Sequence, residues 1–306
     1  MKDNSSATLL VRPAISEASA RNGLLWGLLG VGVFSFTVIF TRVAVGGLPP
    51  LFVGSGRAVV AAILAAAALG LTRQRLPRGR QWGRLAVIAG GVVLGFPLLT
   101  SYALTVTEAS HGAVVIALLP AATAVAAVWR GRERPPGRFW VAAGLGAVAA
   151  VGFAAGQSGG LRLGWPDLLL FGAVVAAAIG YAEGGLLARE LGAWQTVSWA
   201  LVLASPVMVV LTLVAAQEGV PRASVGQWLA FGYLGVMSMF LGFFAWYHGL
   251  AIGPMARVSQ VQLVQPVMSI AWAGLFLGER ITVGTLLGGL AVIGCAALAV
   301  RTRLKL

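Results

Sequence analysis

Ten apolar runs, each about 20 residues long, follow one another along the chain, which is the length that a helix needs to cross a bilayer. The connections between them are short and often contain proline or glycine. A helix is favoured inside lipid because it pairs its backbone polar groups within the segment. The predicted spans lie near residues 23–44, 51–71, 84–106, 110–129, 139–157, 166–187, 195–216, 227–250, 257–277 and 282–300. The sequence therefore predicts an all-α integral membrane protein with ten transmembrane helices.

The composition excludes an ordinary soluble domain. Of the 306 residues, 58% are hydrophobic and 10% are charged, and the mean hydropathy is +0.89. A soluble domain of this size carries more charge on its surface. The net charge of +13 could suggest nucleic acid, but the arginines cluster between apolar runs. We therefore expect the lipid bilayer as a partner and no nucleic acid.

The content of metal-binding and cysteine residues is equally restrictive. Cys295 is the only cysteine and lies in the last apolar run, so no intrachain disulfide is possible. One cysteine and two distant histidines do not make a zinc site. The sequence predicts neither a metal nor a cofactor.

The basic residues predict how the chain is oriented. With a cytoplasmic N-terminus, 17 of the 22 lysine and arginine residues fall on the inner side and four on the outer side. Cytoplasmic loops retain basic residues, so both termini are expected in the cytoplasm. The expected location of the protein is the inner (plasma) membrane of the cell. Residues 1–20 and 302–306 are predicted to be cytoplasmic tails, the first of them disordered.

The two halves of the chain resemble each other. A shift of 146 residues without a gap superposes short motifs at equivalent helix ends: Gln81-Trp82 on Gln227-Trp228, Leu104 on Leu250, Pro120 on Pro266, and Glu133-Arg134 on Glu279-Arg280. We predict two five-helix repeats, residues 21–158 (the first half) and 159–301 (the second half). Since five spans is an odd number, the halves must be inverted in the membrane, an arrangement typical of secondary transporters with a central cavity.

One stretch of the second half carries a family resemblance. Gln262-Leu263-Val264-Gln265-Pro266 is followed by Leu277-Gly278-Glu279-Arg280-Ile281-Thr282 and by Gly288-Gly289. The first half has a degraded copy with Pro120 and Arg132-Glu133-Arg134. This order of a proline within a helix, a Gly-Glu-Arg turn and a glycine-rich last span resembles the EamA-like branch of the drug/metabolite transporter superfamily.

The resemblance implies ten helices around a central cavity and the export or exchange of small metabolites. Amino acids, aromatic or otherwise neutral, are the expected solutes, as in exporters of the aromatic amino acid type. An exporter of drugs or of other metabolites with the same fold is the first alternative. A lipid flippase, a scaffold and a membrane-embedded lipid-modifying enzyme are weaker alternatives, and the enzyme would need clustered catalytic residues. The chain is thus predicted not to be an enzyme, and because two repeats already form a pseudo-dimer, a monomer suffices.

The ninth predicted span has a polar face. Ser259, Gln262, Pro266 and Ser269 recur at spacings of three and four, and Gln265 flanks them. These groups must meet protein or a wet cavity because they are costly in hydrocarbon. They form either a solute-binding stripe or a set of interhelical hydrogen bonds. Pro266, like its counterpart Pro120, also removes a backbone donor and so either frees a carbonyl for solute or fixes a kink.

Aromatic residues offer further candidates. Trp246 and His248 close the eighth predicted span, where they could stack on an aromatic solute or anchor the helix at the membrane interface. Tyr102, in the third predicted span, has a less interfacial context. We expect Tyr102 to line the cavity.

Few charges lie within the predicted spans, and they are costly there unless they serve a pathway or a pair. Arg57 needs either a partner or a shallow position. Glu183 is the candidate for proton coupling, but the scarcity of buried acids favours facilitated transport. Glu133 and Glu279 each precede a helix and can accept hydrogen bonds from its free backbone amides, so we predict structural roles for them. Gly278 is predicted to be the turn glycine before Glu279.

Overall fold

A computed structural model describes residues 17–131, 136–157, 163–217, 223–252 and 261–303. Within these ranges the regular structure is helical and contains no strand. Fourteen α-helices are labelled here in chain order. They are α1 Glu17–Ser35, α2 Thr37–Ala44, α3 Pro50–Leu71, α4 Arg80–Ile88, α5 Phe96–Ala103, α6 Ala109–Ile116, α7 Leu119–Gly131, α8 Gly137–Gln157, α9 Trp165–Leu191, α10 Ala193–Ala216, α11 Val225–Tyr233, α12 Gly242–Ile252, α13 Gln265–Leu277 and α14 Val283–Arg303.

Several of these helices join end to end into segments long and apolar enough to cross a bilayer. In the described ranges there are eight such segments: Arg21–Ala44, Pro50–Leu71, Arg80–Ala103, Ala109–Arg130, Gly137–Gly156, Trp165–Leu191, Ala193–Ala216 and Val225–Gly249. Two shorter apolar helices, Val261–Leu277 and Val283–Ala299, follow them. The chain is therefore a multi-pass helical membrane protein.

The helices recur in the second half at nearly constant distance. Shifting α8 by 146 residues gives the bounds of α14, and the same shift brings both ends of α3 and α4 within three residues of those of α10 and α11 and the start of α1 within two residues of that of α9. Two π-helical segments, Ala89–Gly95 and Leu234–Leu241, also fall at matching places. Such segments interrupt the regular helical ladder and are frequent at functional sites.

Helices from opposite halves pack against each other. α3 contacts α10 and α8 contacts α14, so two pairs join counterparts. α1 of the first half contacts α12 of the second half. Their counterparts, α9 of the second half and α5 of the first half, also contact each other, and α9 contacts the first π-helical segment as well. The main apolar core accordingly contains residues from both halves, among them Phe34, Ile88 and Met208.

Two helices extend into the predicted tails. α1 begins at Glu17, so residues 17–20, predicted as part of a disordered tail, are helical. α14 likewise runs to Arg303, into the tail predicted for residues 302–306. The apolar parts of these helices are Leu24 to Ser35 in α1 and the residues before Arg301 in α14. The added helical turns continue from them, because continuing the helix pairs backbone groups that would lack a partner at a helix end.

Glycine permits a close contact between the backbones of the two halves. A Cβ added at Gly91 would lie 2.2 Å from the carbonyl oxygen of Ala176 and 3.1 Å from the nitrogen of Gly180. Both are backbone atoms of α9 and cannot rotate away. Small residues are the usual means by which membrane helices approach this closely.

We expect Gly91→Ala to lower the free energy of unfolding by about 1–3 kcal/mol, because the added methyl group overpacks a backbone contact. The melting temperature of the purified protein in detergent measures the effect. Gly90→Ala is the matched control, since a Cβ at Gly90 meets no atom within 4 Å. Equal melting temperatures for the two variants would contradict this account of the contact.

Candidate solute-binding site

A first cavity lies where two interrupted helices meet. Its empty volume is about 280 Å³, open solvent included. It is bounded by α2, by the break between α6 and α7, and by the start of α13. The lining residues are Val38, Ala113, Ile116, Leu119, Pro120, Gln262, Gln265, Pro266 and Ser269.

Both prolines that line this cavity stand at the start of a helix. α6 ends at Ile116 and α7 begins at Leu119, with Pro120 as its second residue. In the second half a 3₁₀ turn, Val261–Val264, precedes α13, and Pro266 is again the second residue. Proline suits the first turn because its missing N–H has no partner there in any helix. The prolines therefore mark breaks between helices rather than kinks within one.

The predicted polar stripe divides into two kinds of contact. Gln262 is buried, lines the cavity, and its Nε2 has no hydrogen-bond partner among the described residues. Gln265 also lines the cavity. Ser269 instead donates a hydrogen bond of 2.7 Å to the carbonyl oxygen of Ser35, which ties α13 to α1. Ser259 lies outside the described residues.

A second cavity adjoins the first and shares Val38, Leu119 and Gln265 with it. Its empty volume is about 490 Å³, again with open solvent included. Its walls are partly aromatic and partly polar, and they come from both halves. The remaining lining residues are Phe34, Thr37, Arg57, Val92, Phe96, Pro97, Ala177, Tyr181, Ser238, Met239 and Phe243. The two cavities together form the candidate solute site.

Arg57 is the charged residue of this lining. It is 1% exposed, so its position is not shallow. Its two terminal nitrogens donate long hydrogen bonds of 3.3 Å to the hydroxyls of Thr41 and Thr100, and its Nε has no partner. No carboxylate of the described residues pairs with it. The partner that the sequence required for Arg57 is therefore supplied by two neutral hydroxyls and not by an acid.

Glu183 belongs to an ion-pair network at one end of the bundle, defined here as the carboxylate latch. Its carboxylate accepts from the Nε of Arg84 and, at 2.5 Å, from the Nε of Arg130. Arg84 also pairs with Glu190. Glu183 lines neither cavity. The latch connects α4 and α7 of the first half to α9 of the second half.

Glu279 makes the corresponding connection at the other end. Its two carboxylate oxygens accept hydrogen bonds from the backbone nitrogens of Ala109, at 2.7 Å, and Ser110, at 2.8 Å. These are the first amides of α6, which have no intrahelical partner. The sequence had suggested that Glu279 caps the helix that follows it, α14. Glu279 caps α6 instead. The reason is Gly278, whose φ of +66° ends α13 and turns the chain toward α6. Glu133 lies outside the described residues.

A histidine and an acid that are distant in sequence also meet at this end. His111 Nε2 lies 2.7 Å from Asp167 Oδ1, and both side chains are largely buried. The pair joins α6 to α9 and hence the two halves. Asp167 also accepts a hydrogen bond from the backbone nitrogen of Gly164 at 2.9 Å. Neither residue lines either of the two cavities described above.

The aromatic candidates lie away from both cavities. Tyr102 is 38% exposed near the end of α5 and is not among the residues that line the two cavities. Trp246 is buried in the apolar core against Gly30 and not at an interface. His248 is exposed and meets the ring of Trp26 edge-on. Burial in helix packing, rather than solute contact, accounts for Trp246.

A sequence model of the EamA-like transporter family matches this chain twice, over residues 21–155 and 164–301. The chain belongs to the EamA-like transporter family. As a member of that family it is a membrane transporter.

Two curated relatives resemble this EamA-like chain over most of its length. A protein of Bacillus subtilis (strain 168), named Uncharacterized transporter YdeK, is 42% identical over 92% of this chain and 97% of its own. A Probable terminal-alkyne amino-acid exporter of Streptantibioticus cattleyicolor is 26% identical over 94% of this chain and 91% of its own. A solved crystal structure with 18% identity superposes with a TM-score of 0.63, covering 90% of this chain and 97% of the other, which shows the shared fold.

The sequence analysis missed part of this EamA-like site. Thr37 and Ser238 line the second cavity, and their hydroxyls share a hydrogen bond of 2.8 Å between the halves. A polar residue inside an apolar span was the available signal for both. Asp167 could have been found as an acid at the start of a span. No sequence pattern distinguishes Phe34 or Phe243 from other core phenylalanines.

We expect Glu279→Ala to lower the free energy of unfolding by about 0.5–2 kcal/mol, because the amides of Ala109 and Ser110 lose their acceptor. Thermal unfolding in detergent measures the loss. Glu108→Ala is the control: Glu108 is the residue before α6, but its exposed side chain makes no cap hydrogen bond. A larger effect at Glu108 would show that the cap is assigned to the wrong acid.

Proposed function

We propose that this chain is a secondary transporter that exports or exchanges small organic metabolites by alternating access. Neutral amino acids, aromatic or otherwise, are its proposed solutes. The observation that carries this proposal is the pair of adjoining cavities, which lie between the halves and are lined by Gln262, Gln265 and Arg57 as well as by aromatic rings. Breaks in membrane helices expose polar backbone groups, and a polar solute can form hydrogen bonds with such groups within the membrane.

The proposed architecture is ten transmembrane helices arranged as two inverted five-helix repeats around this site. It is supported by the double match of the family model and by the recurrence of helix bounds after 146 residues. The reciprocal pairing of α1 with α12 and of α9 with α5 is expected of two units related by a pseudo-twofold axis. We place the termini in the cytoplasm and the protein in the inner membrane on the distribution of basic residues.

Alternating access requires that the two ends of the bundle open in turn. The carboxylate latch ties the halves at the end that carries Arg84, Arg130 and Glu190. The cap by Glu279 and the His111–Asp167 pair tie them at the other end. The cavities lie between these two sets of contacts. We propose that each set breaks while the other holds, which exposes the site to one side at a time.

Transport is proposed to follow the solute gradient without obligatory proton coupling. A coupling carboxylate must compete for proton and solute at one site. Glu183 is held by two guanidinium groups outside the cavities, so its contacts favour a role in gating. His111 and Asp167 are also remote from the lining.

Amino acids are proposed for two reasons. One relative carries the name of a probable amino-acid exporter. The site itself combines aromatic walls, from Phe34, Phe96 and Tyr181, with the amides of Gln262 and Gln265. Rings of this kind bind apolar side chains, and amides can bond to the charged ends of an amino acid.

Counterflow of radiolabelled neutral amino acids in proteoliposomes tests the function, and we expect accumulation of at least one of them. Gln262→Ala should weaken its apparent affinity about 2- to 10-fold, the equivalent of one neutral hydrogen bond. Gln217→Ala, at the exposed end of α10, is the control and should behave as wild type. Absence of counterflow for all amino acids would refute the proposed substrate class.

We expect Glu183→Gln to retain counterflow without a pH gradient while lowering the free energy of unfolding. The loss should be about 1–3 kcal/mol, between the values for exposed and buried ion pairs. Glu190→Gln, whose side chain is half-exposed, should lose less. The comparison uses thermal unfolding together with transport at imposed pH gradients. Wild-type transport that strictly requires a gradient, and loses that requirement in Glu183→Gln, would assign proton coupling to Glu183.

A further inference from the structure

Arg57 is a buried cation that lines the candidate site and lacks an anion among the described residues. We propose that Arg57 binds the carboxylate of the transported solute, so that this protein selects monocarboxylates, amino acids among them. The proposal rests on the proposed transport function and specifies which chemical group that function requires.

The immediate contacts of Arg57 position it without neutralising it. Thr41 donates its hydroxyl to the carbonyl oxygen of Thr37 at 2.7 Å, and Thr100 donates to that of Phe96 at 2.6 Å. Their oxygen lone pairs then accept from the two terminal nitrogens of Arg57. Two neutral hydroxyls from α2 and α5 thus hold the guanidinium in one orientation. They carry no charge to balance it.

Most other described acids are already engaged. Glu183 and Glu190 belong to the carboxylate latch, Glu279 caps α6, and Asp167 pairs with His111. An isolated charge out of water is costly, and removing one partner of a buried pair leaves such a charge. Evolution retains ionisable residues within membranes chiefly at pathways and binding sites. A ligand carboxylate would supply the missing partner.

The donors of Arg57 suit a carboxylate in particular. A guanidinium presents N–H groups in a planar fork that matches the two oxygens of a carboxylate. Arg57 uses one hydrogen bond on each terminal nitrogen, and its Nε makes none. Donors therefore remain for a ligand on the same plane.

The rest of the lining limits the charge and shape of the solute. Arg57 is the one ionisable cation among the described lining residues, so the site balances a single negative charge. Phe34, Phe96, Phe243 and Tyr181 add ring surfaces that favour an apolar or aromatic remainder. Quaternary cations and doubly charged phosphate esters should both be rejected.

Binding to purified wild-type protein gives the first test and needs no variant. The probes are neutral L-amino acids, their decarboxylated amines, the matching acids without an amino group, and phosphate monoesters. We expect members of both acid series to raise the melting temperature, while the amines and phosphate esters leave it unchanged. Amines that stabilise as well as acids do, phosphate esters as the sole hits, or no acid that stabilises would each overturn the proposal.

Variants of Arg57 give the second test. Arg57→Gln should weaken acid binding about thirtyfold or more, as expected when one partner of a buried charge pair is removed. Arg57→Lys keeps the charge but loses the fork, so it should retain part of the affinity. The ligand-free melting temperature of Arg57→Gln should not fall, because an uncompensated charge has been removed. A fall in ligand-free stability with unchanged acid binding would make Arg57 structural and overturn the proposal.

Arg42→Gln is the matched control. Arg42 donates to the carbonyl oxygens of Leu104 and Thr105, each at 2.7 Å, and so caps the end of α5 outside the cavities. This variant should lose stability and still bind acids. Loss of acid binding in Arg42→Gln, matching that in Arg57→Gln, would contradict a specific role for Arg57.

Proteoliposome exchange separates this proposal from the transport function. If wild-type protein exchanges amines as fast as acids, the carboxylate site is wrong and the transport function stands. If acids bind through Arg57 but none crosses the membrane, the transport function is wrong and the carboxylate site stands. Exchange of acids alone, lost in Arg57→Gln, would support both.

Discussion

The bilayer offers no hydrogen bonds, and this constraint determines where such a chain can depart from a regular helix. Breaks in the backbone are tolerated only where protein or an internal cavity meets the released groups. Here the breaks before Pro120 and Pro266 meet at one cavity, and the π-helical residues Val92 and Ser238 line the adjoining one. Irregular backbone therefore locates the candidate site more directly than any side-chain pattern.

The same constraint sorts the charges by depth. Glu183, Glu279 and Asp167, at the two ends of the bundle, are held by arginines, by backbone amides and by a histidine. Arg57 lies deeper and has only hydroxyls. A buried guanidinium without an anion is costly and adds nothing to the stability of the helix bundle. Its environment therefore points to an anionic ligand as its partner.

Apolar run length determined the spans, and sequence reasoning therefore found the helices and their recurrence after 146 residues. Helical spacing placed Gln262 and Pro266 on one face with Gln265 beside them, and in the structure these three residues line one cavity together with Pro120, the counterpart of Pro266 in the first half. The environments of Tyr102, Trp246 and Glu279 depend on which helices pack together: the first two lie outside the cavity linings, and Glu279 caps α6 rather than the helix that follows it. Contacts such as His111 with Asp167 join residues 56 positions apart, and one chain alone contains no signal of that pairing.

The two ends of the bundle are closed by different chemistry, which makes them unequal toward salt. The arginines of the carboxylate latch are 20% and 52% exposed, so dissolved ions can screen their attraction to Glu183. Glu279 meets backbone amides, and His111 with Asp167 is shielded from solvent. Raising the ionic strength should thus weaken the contacts of the carboxylate latch and leave those at the other end nearly unaffected, which would shift the balance toward molecules open at the latch end.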